Sequence, residues 1–366
     1  MYFAPMVRLK QLSLVQFRNY IQKQFVFSDR IVGIVGPNGT GKTNVLDAVY
    51  YLSFTKSYFS RPDTQNVHHA YEGMRVEGIY EMKGDSLPVT CVLRENLKKE
   101  FYFDQEPYAK LSQHIGRIPC VMIAPDDVQI ITGTSEERRK LMDSLLSQMH
   151  SAYLKHLIQY NKVLIQRNSL LKNGAETGLM DMVLLETINE QLIVNGNFIY
   201  AYRKELIEKY LPEILSLYKH IAGELDEINI QYHSQLHQDS YSNLLKQSLQ
   251  KDQILQRTNV GIHKDDLIIT IQGQPFKQEA SQGQRKSLLF AIRLAEWKLI
   301  KENKGFSPIL LMDDIFEKLD EQRMIHLLDW VSHSTDGQVF ITDTHKERVD
   351  ELLGKHLDSY QLIELA

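Results

Sequence analysis

The sequence predicts an α/β fold: a sheet domain built jointly by residues 1–134 and 256–366, interrupted by a mainly helical lobe at 135–255. Three observations carry this reading. A glycine-rich loop joins an apolar strand to an amphipathic helix near the N-terminus. A second apolar strand, ending in two carboxylates, lies far downstream in strand–helix order, so both ends of the chain contribute to one sheet. Between them runs a stretch without proline or glycine whose apolar residues recur at helical spacing.

Taken in order, Leu9, Leu12, Leu14, Val15 and Phe17 give an alternating strand, and a second run at 24–27 follows the turn Arg18-Asn19-Tyr20. The pair reads as two strands at a sheet edge. Residues 30–35 form a buried strand, and 43–52 an amphipathic helix. Further strands are expected at 75–80, 89–94, 100–103 and 119–123, with Gly84, Asp85 and Pro88 supplying turn chemistry. The lobe opens with a helix over 135–171, since Leu141, Leu145, Met149, Tyr153 and Leu157 share one face. Ser135 is its expected N-cap, with Glu136 and Glu137 in the first turn. A second helix spans 180–210 and stops near Pro212, where a third begins; 233–251 reads as a weaker polar segment. Sheet-like sequence returns at 267–271, followed by a helix at 284–301, a strand at 308–312, a helix at 321–332 and a last strand at 338–342.

The formal net charge of −4 excludes a globally basic protein, so a nucleic-acid partner would need a local basic surface. Two cysteines, Cys91 and Cys120, suggest neither a disulfide framework nor a metal cluster and fit a reducing compartment. The N-terminus lacks the pattern of a secretory leader, and no apolar run approaches bilayer length. A cytoplasmic location without a membrane partner is the expectation.

Gly36-Pro37-Asn38-Gly39-Thr40-Gly41-Lys42-Thr43 matches the phosphate-loop pattern G-x-x-x-x-G-K-[ST]. Glycines let successive backbone N–H groups converge on phosphate oxygens, and the helix N-terminus adds its dipole. Lys42 would reach the β- and γ-phosphates of ATP, and Thr43 would offer a hydroxyl to Mg²⁺. The strand ending Met312-Asp313-Asp314 supplies the complementary carboxylates. Asp313 is placed to hold the metal and Asp314 to polarise an attacking water. Asp314 is shorter than the glutamate common at that place, which points to slow hydrolysis.

Ser281-Gln282-Gly283-Gln284 precedes a helix leading into that strand, and it resembles the signature motif of ABC-type ATPases. A serine hydroxyl and a glycine N–H at a helix start make an anion site. The resemblance implies that Ser281, Gly283 and Gln284 cap ATP bound by a second copy, giving a homodimer that closes over two nucleotides. Glu317-Lys318-Leu319-Asp320 lies where such ATPases contact the partner, with a charge reversed at Lys318. Relatives place a histidine directly after the terminal strand; here Asp343 stands there, and His345 reads as a surface residue.

The wider pattern resembles the RecF family, related to the SMC group. Its carriers are Phe17-Arg18-Asn19-Tyr20, the loop with Asn44 to Ala48, Lys56-Ser57-Tyr58-Phe59-Ser60-Arg61, Ala124-Pro125-Asp126-Asp127, Gly261-Ile262-His263-Lys264-Asp265-Asp266-Leu267 and Ser281-Gln282-Gly283-Gln284-Arg285. Ile262 and Lys264 depart from the family's usual residues. The resemblance implies an ABC-type ATPase head with an inserted lobe and a weak, DNA-stimulated ATPase. It also implies ATP-dependent binding at single-strand/double-strand gap junctions and action with RecO and RecR to load RecA, supporting replication and the SOS response. An SMC-like clamp would need long heptad helices, a transporter subunit a membrane partner, and a small-molecule kinase leaves the Ser281 motif without a role. Candidate DNA contacts are residues 56–61, Arg138-Arg139-Lys140, Lys155, Lys162 and Arg167; the alternative is that these side chains solvate or pair with acids. Residues 261–267 read equally as a DNA contact or as a structural turn with a paired aspartate.

Overall fold

The computed structural model describes residues 7–59, 62–223, 226–315, 320–357 and 359–366. The chain forms two compact units. One comprises Met1–Asp127, Ser216–Glu224 and Ser281–Ala366; the other comprises Val128–Leu215 and Leu225–Ala280. Residues 256–280, expected in the sheet domain, therefore belong to the second unit, because Asp266–Ile271 pairs with a strand at Ile228–His233 that lacks a clear sequence signal.

The first unit holds a parallel sheet in the order Gln361–Glu364, Ile31–Val35, Val339–Asp343, Ile309–Met312 and Cys120–Ile123. N- and C-terminal segments thus share one sheet, as the strand order predicts. Every residue of its three central strands is buried. That explains their near-continuous apolar sequence, since helices cover both faces of such sheets. The strand Gln361–Glu364 extends the sheet beyond the last expected strand.

A second, antiparallel sheet runs Tyr20–Val26, Val7–Phe17, Met74–Met82, Asp85–Leu93, Lys99–Phe103 and Glu106–Pro107, with Tyr20–Val26 at the edge. Pairing of Val7–Phe17 with Met74–Met82 slips by one residue between Leu9 and Gln11. The buried Gln338 side chain compensates there. It accepts the Leu9 N–H at 2.7 Å and donates to the Leu9 carbonyl at 3.0 Å, standing in for a strand where the ladder shifts. The helix Lys42–Phe54 is buried at every position except Thr43 and Asn44 and shares one apolar core with strands of both sheets. A helix that is apolar nearly all round belongs inside.

The second unit contains the helices Ser135–Met149, Ser151–Thr177 and Tyr241–Leu255, and residues 182–215 of the long helix Met182–Ala222. A small sheet orders Gln274–Pro275, Asp266–Ile271 and Ile228–His233. The single helix expected over 135–171 is divided at His150, whose backbone is extended (φ −133°, ψ 107°). Thr134, not Ser135, occupies the N-cap position of Ser135–Met149.

Pro212 lies inside Met182–Ala222 instead of ending it. Proline removes one helical hydrogen bond and its ring crowds the preceding turn. Burial of Tyr210, Ile214, Leu217, Tyr218 and Ile221 carries the helix through that defect. Because Pro212 is itself exposed, Pro212→Ala is expected to stabilise the chain by about 1–3 kcal/mol. A urea titration followed by helical ellipticity checks this; a midpoint that is unchanged or lower would show that the helix is already broken there.

Candidate nucleotide site

The carboxyl ends of the central parallel strands carry the site. Val35 leads into Gly36, Met312 into Asp313, and Thr342 is the last but one residue of the strand beside them. Gly36, Gly39 and Gly41 have φ of 152°, 87° and 104°. Gly41 occupies the N-cap of Lys42–Phe54 without a side-chain cap, which leaves that helix start to its own N–H groups. At Gly36 a Cβ would stand 2.3 Å from the Leu365 carbonyl oxygen, so the loop begins hard against the C-terminal backbone. Pro37, Asn38 and Gly39 are exposed at the crest, and the Thr40 hydroxyl donates to the Pro37 carbonyl at 2.9 Å. Lys42 is buried and its ammonium donates to the carbonyls of Gly36 (2.8 Å) and Pro37 (3.0 Å), folded over the loop where a phosphate would lie.

The turn Arg18-Asn19-Tyr20, noticed in the sequence only as part of a resemblance, braces this loop. Asn19 Nδ2 donates to the Thr40 carbonyl at 3.1 Å and Tyr20 Oη to the Gly41 carbonyl at 3.2 Å. The Arg18 guanidinium donates to Asn44 Oδ1 at 3.0 Å and pairs with the buried Asp47 carboxylate. Asp47 also accepts the Ser57 hydroxyl and, at 2.8 Å, the Tyr58 N–H. Burial pushes the Asp47 carboxyl up from its ordinary range against the pull of Arg18. Ser57 and Tyr58, proposed for DNA from the basic run at 56–61, thus face inward, while Lys56 is exposed. Ser60 and Arg61 lie outside the described residues.

Thr43 and Asp313 meet, as the sequence expects of a shared metal site. The Thr43 hydroxyl lies 3.0 Å from both carboxylate oxygens of Asp313, and Thr342 Oγ1 donates to Oδ1 at 2.7 Å. Thr342 also accepts the Asp314 N–H at 3.0 Å. Asp314 sits in the left-handed region, φ 47°, which is uncommon for a residue other than glycine. Burial, with the neighbouring Asp314 charge adding to it, raises the Asp313 carboxyl to about 6, although both threonine hydroxyls and Lys42 act against the shift. Asp343 points away from this cluster: it is buried and accepts two hydrogen bonds from Arg348, both 2.7 Å, and the His345 N–H at 2.8 Å. His345 is exposed.

Ser281 is the N-cap of Gln282–Lys304. Its hydroxyl accepts the Gln284 N–H at 3.2 Å, and the Gln284 side-chain oxygen accepts the Ser281 N–H at 2.8 Å. This reciprocal capping box holds both residues at the helix start. Arg323 lies over Gly283: a Cβ there would be 1.9 Å from Nη1, and Asp320 pairs with Arg323 at 2.9 Å. Sequence reading missed this contact, since nothing in the spacing links the two helices. Glu317, Lys318 and Leu319 lie outside the described residues; Asp320 is the N-cap of Glu321–Ser334.

In the second unit, several proposed DNA contacts are structural. Arg138 donates to Asp266 and to the carbonyls of Ile130 and Gly133; Arg139 donates to the Asp265 carbonyl at 2.8 Å. Arg167 is fully buried, paired with Asp252 at 2.7 Å. Asp265 is buried, joined to Arg203 (2.7 Å) and the Tyr232 hydroxyl (2.6 Å). Asp265 is thus the paired aspartate of a structural turn, while Lys264 in the same segment is exposed. Lys155 and Lys162 are exposed.

Two outcomes follow from these networks. Asp265→Asn leaves the buried Arg203 without half of its compensation and is expected to destabilise the chain by about 3–5 kcal/mol in urea unfolding. A shift below about 1 kcal/mol would discard the structural role. Asp313 holds its proton to higher pH in the folded state than in the unfolded chain, so its ionisation costs stability progressively between about pH 4 and 6 and fully above. Asp313→Asn is expected to raise nucleotide-free stability by about 1–3 kcal/mol at pH 8 and about half as much near pH 5. Equal gains at both would show that burial of the charge is not the cause.

Known proteins resemble the chain over nearly its whole length. The family described as the RecF/RecN/SMC N terminal domain matches residues 8–359. The chain is 40% identical over 345 residues to the DNA replication and repair protein RecF of Parabacteroides distasonis, covering 94% of this chain and 93% of that one. It is 41% identical over 359 residues to that of Flavobacterium johnsoniae, covering 98% and 100%. A solved structure of the recombination mediator protein RecF with ATPrS, described as part of the RecFOR pathway, superposes with a TM-score of 0.88 at 26% identity, covering 100% and 98%. An Smc head domain from Pyrococcus furiosus shares the fold, with a TM-score of 0.56 at 16% identity, covering 99% and 94%. On the family match and the near-full-length relatives, the chain belongs to the RecF family.

Proposed function

We propose that the chain is an ATP-dependent DNA-binding protein of recombinational repair whose nucleotide site is completed by a second copy. The observation that carries this reading is the convergence of Lys42, Thr43, Asp313 and Asp314 at one sheet end, in a chain similar to RecF solved with ATP. Loop N–H groups from Gly36 to Thr43 and the Lys42 ammonium bind the phosphates, which would draw Lys42 away from the Gly36 and Pro37 carbonyls.

Thr43 and Asp313 suit Mg²⁺: a hydroxyl beside a carboxylate whose charge is disfavoured by burial and which a cation would stabilise. Held there, Mg²⁺ would supply positive charge toward the phosphates. Thr342 orients Asp313 and holds the Asp314 backbone, setting Asp314 to polarise a water. A short aspartate there, with Asp343 already committed to Arg348, supports slow turnover, and stimulation by DNA is part of the same proposal. Ser281 and the Gly283 N–H, held by the Gln284 capping box, face ATP on the partner copy. Closure of the two copies around a gapped duplex, handover with RecO- and RecR-like mediators to RecA, a part in the SOS response and a cytoplasmic location complete the reading. No helix among the described residues is long and apolar enough to cross a membrane.

Gapped-duplex binding and complex size, measured at fixed salt with ATP or ADP, test the proposal. ATP is expected to drive both dimerisation and DNA binding. Lys42→Arg should lose both; Ser281→Arg should keep ATP binding as a monomer yet weaken ATP-driven DNA binding by more than about thirtyfold. A protein that stays monomeric with ATP and ignores DNA would overturn the composite site for this chain acting alone.

A further inference from the structure

Four aromatic rings form a ladder on the second unit. His156 stacks on Phe198 at 3.9 Å between centroids and 20° between planes. Phe198 stacks on Tyr202 at 4.7 Å and 25°, and His150 meets Tyr202 edge-on at 5.0 Å. None of the four is buried; each is half-exposed. The ladder is held in place, since His156 Nδ1 lies 2.9 Å from Asn195 Oδ1 and Tyr202 also contacts the buried Tyr153.

Helical spacing shows what borders the rings. Gln191, Asn195, Phe198 and Tyr202 recur at i, i+4, i+7 and i+11, one stripe of their helix. Lys155, Gln159 and Lys162 recur at i, i+4 and i+7 on the neighbouring helix, and Gln159 reaches Gln191 at 3.5 Å. Lys155 and Lys162 lie on the His156 helix, one residue before that ring and six after it, both exposed. Glu205, the acid on the aromatic stripe, is engaged by Lys209 at 3.4 Å.

Rigid, half-exposed rings with cations alongside match the chemistry of one occupant. Every nucleobase has a π-face that stacks on an aromatic ring, and its phosphate seeks a nearby ammonium. Duplex bases are already stacked and offer no free face. We propose that this ladder, with Phe198 held between His156 and Tyr202, is a stacking platform that the unpaired bases of single-stranded DNA extend at its His156 and Tyr202 ends, with Lys155 and Lys162 contacting its phosphates. The platform rests on the DNA-binding reading above and assigns its single-strand contact to these residues.

The test uses the full chain with ATP at fixed salt. Anisotropy compares a labelled oligothymidylate with an abasic oligomer of equal length and phosphate count, and a blunt duplex serves as the control. The abasic oligomer is expected to bind about tenfold more weakly or worse. Phe198→Leu and Tyr202→Leu, which keep apolar bulk but lose the ring, should erase that preference while duplex binding and the unfolding midpoint hold. Lys155→Gln and Lys162→Gln should weaken both oligomers alike and lower the salt slope by about one each. Equal binding of the two oligomers, or a preference that survives both leucine variants, with duplex binding intact, overturns the platform and leaves ATP-dependent DNA binding standing. Failure to bind any of the three DNAs overturns both.

Discussion

The structure turns on one buried anion. Asp313 sits at the end of an apolar strand, out of reach of bulk water, with a hydroxyl on either side: Thr43 from the phosphate-loop helix and Thr342 from the adjacent strand. An ionised carboxylate in that position is costly unless donors converge on it. Three elements separated widely in sequence are thereby drawn to one point, and the loop, the acidic strand end and the terminal strand come into register. The same charge that makes the site expensive makes it receptive to cations, so burial and binding are two aspects of one arrangement.

Around this point the phosphate loop is held by supports of different kinds. Asn19 and Tyr20 bond its carbonyls from one side, and the C-terminal backbone at Leu365 meets Gly36 from another. Arg18 and Asp47 tie the base of the following helix to the turn before it. These braces fall on the loop's carbonyls and flanks, and the Thr40 N–H makes only a long 3.5 Å bond to the Pro37 carbonyl. That division of labour is what an anion site built from backbone requires.

Much of this was legible in the sequence, for physical reasons. Central parallel strands must be apolar on both faces, and a phosphate loop admits few residue types, so both stand out locally. The braces did not. Gln338 holding Leu9, Arg323 on Gly283 and Thr342 on Asp313 join residues whose spacing carries no period. In the lobe, Arg138, Arg139 and Arg167 looked like solvent-facing cations because a helix pattern gives burial only for apolar side chains. Their acid partners, Asp266 and Asp252, lie far along the chain, and Arg139 bonds the Asp265 backbone, which carries no sequence signal at all. Pro212 misled in the opposite sense: a local breaker was outvoted by the apolar stripe that continues beyond it.

The strand Ile31–Val35 has further meaning for how the protein comes into being. Its partners on either side are Val339–Asp343 and Gln361–Glu364. A chain emerging from synthesis carries this apolar strand, with both edges bare, until those distant segments arrive. Pairings of such separation close slowly and leave sticky edges exposed meanwhile. Gly36, at the head of the phosphate loop, leaves the room that the Leu365 backbone beside Gln361–Glu364 needs. The sheet that carries the phosphate loop is therefore complete only when both of those segments have docked.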